Sequence, residues 1–151
     1  MNKLEQALSL AEIVPLIPLH GKDAIIKGWP EKCSQDPEVI KKWTADFKQK
    51  YGSINYGMVC GERSGIWVLD VDDKDGKEGS VNLLSAFGEM PSTVSQSTPS
   101  GGKHYLFHYD ASKPIKNGTD VLGKKSGVDV RSNRGYIAIA PSDNYTISGD
   151  I

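Results

Sequence analysis

The stretch that most constrains this chain runs Gly65-Ile-Trp-Val-Leu-Asp-Val-Asp72, an apolar run of β-branched and aromatic residues that carries two carboxylates two positions apart. Such a run predicts a buried strand. Side chains on a strand alternate between faces, which puts Asp70 and Asp72 on one face and sends Leu69 and Val71 into a core on the other. Adjacent carboxylates repel, and burying them unpaired costs on the order of several kcal/mol, so the pair needs a cation or basic neighbours. Two interpretations fit the pair equally: a divalent-cation site, or a strand end entering a solvated turn, since Asp73, Lys74, Asp75 and Gly76 follow at once.

A chain of 151 residues, 38% hydrophobic and 25% charged, has the size and composition of one domain with a full core. A net charge of -1 gives no global footprint of a polyanion binder, so any nucleic-acid site has to be a local patch. Cys33 and Cys60 stand in no CxxC or Cys/His spacing, which argues against a zinc site and a disulfide framework and fits a reducing cytoplasm. Residues 1–12 lack the apolar core of a signal peptide, and no run is long enough to span a bilayer. Neither secretion nor membrane insertion is expected.

Leu4, Ala7, Leu8 and Ala11 recur at helical spacing and predict a short helix over residues 2–11. Pro15 to Leu19 is apolar but broken by prolines, hence an edge strand or extended segment, and Trp29 before Pro30 is expected to be extended. Asp36-Pro37 marks the start of a helix with Ile40, Trp43 and Phe47 on one face and an end near Gly52. Residues 55–59 form a strand, joined to the acidic one by a hairpin turn at 61–65; Val81, Leu84 and Phe87 line a helix that stops at Gly88. Residues 103–109 alternate as a strand with His104, Leu106 and His108 on one face. Residues 127–131 and 136–140 are two strands about the turn 132–135. Strands outnumber helices and most connections suit antiparallel pairing, so the fold class is α+β. The last residues carry no stop signal, which suggests a piece of a longer polypeptide.

Two motif matches fail. Gly118 to Lys124 has Walker A spacing, but Lys125 stands where a Ser or Thr must bind magnesium and a strand follows instead of a helix. Asp73, Asp75 and Gly76 have calcium-loop spacing, yet Val71 and Asn82 occupy the first and last ligand positions. Three short motifs survive: Asp70-Val-Asp72 on a strand, Ser100-Gly-Gly-Lys-His104 leading into one, and Val128-Asp-Val-Arg131 on another.

In that order, and with Gly28-Trp-Pro30, Asn55 to Gly61, Met90 to Thr93 and Gly135 to Ser142 around them, these motifs resemble the archaeo-eukaryotic primase superfamily. More specifically, the chain is similar over roughly residues 14–145 to the bifunctional DNA primase/polymerase (prim-pol) domains of plasmids, phages and mobile elements. The resemblance implies a single catalytic domain over residues 1–151 with a palm-like, mixed or antiparallel sheet, akin to an RNA-recognition-motif core, flanked by helices. The three motifs would lie on adjacent strands. It implies that Asp70, Asp72 and Asp129 bind two divalent ions, Mg2+ or Mn2+. Ser100, Gly101, Gly102, Lys103, His104 and Arg131 would hold the triphosphate of an incoming NTP or dNTP. A single-stranded DNA template with its primer would be the partner, together with a helicase or helical module in the same or another chain.

The chemistry of the residue types is consistent. In nucleotidyl transfer one ion lowers the pKa of the attacking hydroxyl and the other neutralises the leaving pyrophosphate. Lys, Arg and glycine amides are the donors a triphosphate takes, and His104 could donate to a phosphate oxygen or protonate the leaving group. Arg134 is either an additional phosphate or template contact or a solvated turn residue. Seven basic against five acidic residues from Gly101 to Ile151 suggest a template-facing rim. A two-metal nuclease and a non-catalytic initiation or single-strand-binding module with the same fold are the alternatives. The glycine loop disfavours the nuclease, and the three carboxylates disfavour the non-catalytic module.

Overall fold

Capping residues set the first helix. Asn2 accepts the Glu5 amide and the Glu5 carboxylate accepts the Asn2 amide, a reciprocal cap that starts α1 (Lys3–Ala11), whose Ala7 and Ala11 are buried. The computed structural model describes residues 1–151, and shows an α+β arrangement in which four helices flank two antiparallel sheets.

β1 (Leu16–His20) carries the two-residue β2 (Asp23–Ala24) along one edge, paired only with Leu19 and His20. Pro18 therefore sits where the outer side of β1 has no ladder to lose a donor from. Trp29 is not extended: Gly28, at φ +73°, turns the chain into a one-turn helix, α2 (Trp29–Lys32), with Pro30 in its first turn. A proline there gives up no intrahelical bond, so the glycine's left-handed turn overrides the usual preference of a residue preceding proline. α3 (Pro37–Tyr51) is capped by Asp36, which accepts the Glu38 amide, and stops at Gly52 in the left-handed region. It buries Ile40 and packs Trp43 and Phe47 against the core, as its periodicity predicts.

The strands form two sheets rather than one. β3 (Asn55–Val59) and β8 (Tyr136–Ala138) complete the first, in the order β2-β1-β3-β8. The second contains β4 (Ile66–Val71), β5 (Ser95–Ser97), β6 (Lys103–His108), β7 (Val128–Arg131) and β9 (Thr146–Ser148), in the order β7-β4-β6-β5-β9. Neither expected hairpin forms in full: β3 and β4 meet only through a Gly61–Ile66 bridge, and β7 and β8 part into different sheets. The two connecting turns are fastened to each other instead. Cys60 N–H donates to Gly135 O and Glu62 N–H to Asn133 Oδ1, and a Cβ on Gly61 would lie 2.6 Å from the Asn133 backbone nitrogen.

The main core joins Leu16, Tyr56, Met58 and Ile137 of the first sheet to Ile66, Val68 and Leu106 of the second, with α1 and α3 covering it. On the opposite face of β4, Val71 packs with Val128 and with Leu83 of α4 (Gly79–Phe87). The face of α4 that seats is not the one its apolar spacing suggests. Gly79 lies against Asp72 O and Gly127 O, where a Cβ would come within 2.7 and 2.6 Å, and this contact turns Leu83 inward and leaves Val81, Leu84 and Phe87 exposed.

Candidate active site

Directly opposed residues in antiparallel strands project to the same face. Asp70 on β4 is opposite Asp129 on β7 and His104 on β6; His104 is opposite Gln96 on β5, and Gln96 opposite Ile147 on β9. One rank of side chains, Asp129–Asp70–His104–Gln96–Ile147, therefore crosses all five strands. The rank behind it holds Arg131, Val68 and Leu106, of which the last two belong to the core. The Asp129–Asp70–His104 part of the first rank is thus the open end of the same face that builds the hydrophobic interior, while Gln96 and Ile147 lie within it.

Arg131 leans forward from its rank, and one guanidinium nitrogen lies 3.3 Å from Asp70 Oδ2 and 3.0 Å from Asp129 Oδ2. His104 Nε2 is 3.3 Å from Asp70 Oδ1. Burial pushes the Asp70 carboxyl up, but hydrogen bonds and charge from His104 and Arg131 together outweigh it and hold Asp70 below the usual carboxylate range. Asp70 is accordingly ionised at neutral pH. Asp129 is braced from its other side, its Oδ1 accepting the Asp120 amide at 2.9 Å, while Asp120 itself accepts the Gly127 amide at 3.1 Å.

Asp72 departs from the expected convergence. Pairing of β4 ends at Val71, and Asp72 is already fixed in the next turn: its amide donates to Gly127 O, its carbonyl accepts the Gly79 amide, and its carboxylate accepts the Lys74 amide at 3.0 Å. No three acidic, His or Cys side chains stand close enough together to hold an ion. Asp72 nevertheless lines the same cleft as Asp70 and Asp129. The donor set suits a hard divalent cation, being carboxylate oxygens, and Asp70 and Asp129 already share one cationic group, the Arg131 guanidinium.

The loop before β6 is brought to the cleft only in part. Thr98, Pro99 and Ser100 line it. Gly102 is pressed against the end of β4, where a Cβ would lie 2.4 Å from Val71 O, so its lack of a side chain serves loop-to-strand contact. Gly101, at φ +85°, turns the loop, and its amide is spent on Thr98 O. Lys103 lies on the face of β6 opposite to His104 and is exposed, because neighbouring residues on a strand point to opposite sides.

Two adjoining hollows of about 450 and 260 Å³ share Lys22, Asp70, His104, Arg131 and Tyr145 as a common wall. The larger extends past Trp29, Asn117, Arg134 and Tyr136. Arg134 also pairs with Glu31 at this rim. Burial, and after it the nearby Asp70 and Tyr136, push the Tyr145 hydroxyl up, so it stays protonated. Lys22, Tyr145 and Gln96 carry no motif in the sequence. The one trace of Gln96 is its place in Thr93-Val-Ser-Gln-Ser97, which alternates weakly just before the glycine loop.

A sheet that gathers acidic side chains and an imidazole at one open end, with the Ser100 turn beside them, gives a palm-like α+β fold with a charged cleft. The family model for the bifunctional DNA primase/polymerase N-terminal domain matches residues 7–150, and the chain belongs to that family. The three sequence motifs do lie on neighbouring strands, β7, β4 and β6. No curated protein sequence matches the chain. None of its helices is long and apolar enough to cross a membrane.

Proposed function

We propose that this domain joins NTPs or dNTPs to a primer or starting nucleotide on a single-stranded DNA template, as one catalytic unit of a longer replication protein of a plasmid, phage or mobile element. The observation that carries this reading is the Asp129–Asp70–His104 rank with Arg131 seated between the two carboxylates, beside the Ser100 turn. Asp70, Asp129 and Asp72 are the residues to hold two divalent ions, Mg2+ or Mn2+. When bound, such ions activate the attacking hydroxyl and neutralise the leaving pyrophosphate. Arg131 offsets one of the two negative charges of the acidic pair and is placed to donate to phosphate oxygens once the pair has another cation. His104 presents a ring nitrogen to the cleft, and Thr98, Pro99 and Ser100, held in place by the Gly101–Gly102 turn, form the wall where a triphosphate fits. Lys22 and Arg134 add positive charge at the rim for template or phosphate. A helicase or helical module, in this polypeptide or another, would supply grip on the DNA.

The test is extension of a labelled primer–template with Mg2+ or Mn2+ and nucleotide by the wild type, Asp70→Ala and His104→Ala. Extension by the wild type that both variants lose supports the proposal. Strand cutting without extension would identify a nuclease, and metal-independent DNA binding alone a non-catalytic module; either result overturns it.

A further inference from the structure

His104 turns one ring nitrogen to the cleft and the other to the interior, where it meets Gln96. Gln96 is 1% exposed, and the orientation of its amide is dictated by the backbone around it. Its Nε2 lies 2.7 Å from Ala138 O, which can only accept, and its Oε1 accepts the Ala140 amide at 3.1 Å. A carboxamide nitrogen has two hydrogens. Ala138 takes one, and the second is directed at His104 Nδ1, 2.8 Å away. Nδ1 must therefore offer a lone pair, and in the neutral ring the hydrogen belongs on Nε2, the atom that faces Asp70 and the cleft.

We infer that Gln96 is a positioning residue that fixes His104 in its Nε2–H tautomer, so that the imidazole offers the cleft a hydrogen-bond donor. The inference rests on the proposed reading for what that donor serves: a phosphate oxygen can only accept, and the other tautomer would turn a lone pair toward it. The remaining groups around the ring lie elsewhere. Asp70 is at Nε2, Arg131 stands beyond Asp70, and the Tyr145 ring is 6.2 Å away between centroids. Because Ala138 lies on β8 and Gln96 on β5, the tautomer is set by the docking of one sheet on the other.

The experiment is 15N imidazole spectroscopy of the domain in mildly alkaline buffer without nucleotide or metal. The three histidines are few enough to resolve, and His104→Ala assigns the signal. The expected spectrum has hydrogen on Nε2 and a bare Nδ1. Gln96→Glu keeps the shape and an acceptor for Ala140 but removes both N–H donors, the one to Ala138 O and the one to His104 Nδ1. It should abolish that spectrum and raise the nucleotide KM about tenfold or more, the worth of a hydrogen bond to a charged group, with a smaller change in kcat. Gln96→Met, which leaves Nδ1 without a donor, should show a mixture of tautomers. A wild-type ring with hydrogen on Nδ1, a folded Gln96→Glu with an unchanged tautomer, or a switched tautomer with an unchanged KM would each overturn the inference. A wild-type domain that adds no nucleotide refutes the nucleotidyl-transfer reading instead, and the wild-type spectrum then decides the role of Gln96 by itself.

Discussion

Asp70 and Asp72 are two residues apart and chemically identical, yet they belong to two different regions. Asp70 lies within the paired part of the second sheet, where β6 and β7 fix its neighbours to left and right and supply His104, Asp129 and Arg131 at defined heights. Asp72 lies past the last paired residue, on a rim whose shape comes from turns. Its carboxylate is held by one local amide. The difference teaches that a sheet assigns partners to a side chain through residues distant in sequence, whereas a turn leaves the side chain with its own neighbours and open to whatever enters the cleft.

The largest test of that contrast is removal of the carboxylates. Asp70→Ala and Asp129→Ala should lower nucleotide addition by about a thousandfold, the loss of several kcal/mol of charge stabilisation. Both should also shift the thermal midpoint, because Arg131 loses a partner. Asp72→Ala should lower addition as well, but leave stability within about 0.5 kcal/mol of wild type. Equal loss of stability at Asp72 would erase the distinction.

Next is the joint between rim and sheet. Gly102→Ala drives a Cβ into Val71 O and should cost about 1–3 kcal/mol in denaturant unfolding while weakening nucleotide binding. A neutral Gly102→Ala would show that the loop is not fastened to β4.

A smaller effect separates the regions by pH. The Asp70 pKa is lowered in the folded state, so its ionised form contributes stability that is present above the ordinary carboxylate pKa and lost as pH falls through the folded value. Urea midpoints of wild type and Asp70→Asn should therefore differ most near neutrality and converge in acid. The smallest effect belongs to the outer side of α4, where Phe87 is 68% exposed: Phe87→Ser should change stability by less than about 0.5 kcal/mol.

Much of the local structure was legible. Caps at Asp36 and Gly52, the alternation through residues 103–108 and the apolar run before Asp70 each correspond to an element in place. The order of the three motifs pointed to the family, and the adjacency of their strands agrees with it. What went unread depended on contacts between distant segments. Trp29 entered a helix because Gly28 reversed the chain, and α4 turned its apolar stripe outward because Gly79 is wedged under Asp72 and Gly127. Gln96 looked like an ordinary polar strand residue until Ala138 of β8 supplied a carbonyl, and Ala140 just past it an amide, to orient it.

By itself the sequence determined which residues alternate, where α1 and α3 begin and end, and that two carboxylates, a histidine and a glycine turn would stand on or beside strands. Those properties follow from backbone preference and side-chain period, which reach only a few residues. The tertiary structure decided that the strands divide into two sheets, that Arg131 sits between Asp70 and Asp129, and that Gln96 orders the His104 ring. Each of these depends on which strands become neighbours, a choice made by the burial of the shared core and not by any local pattern.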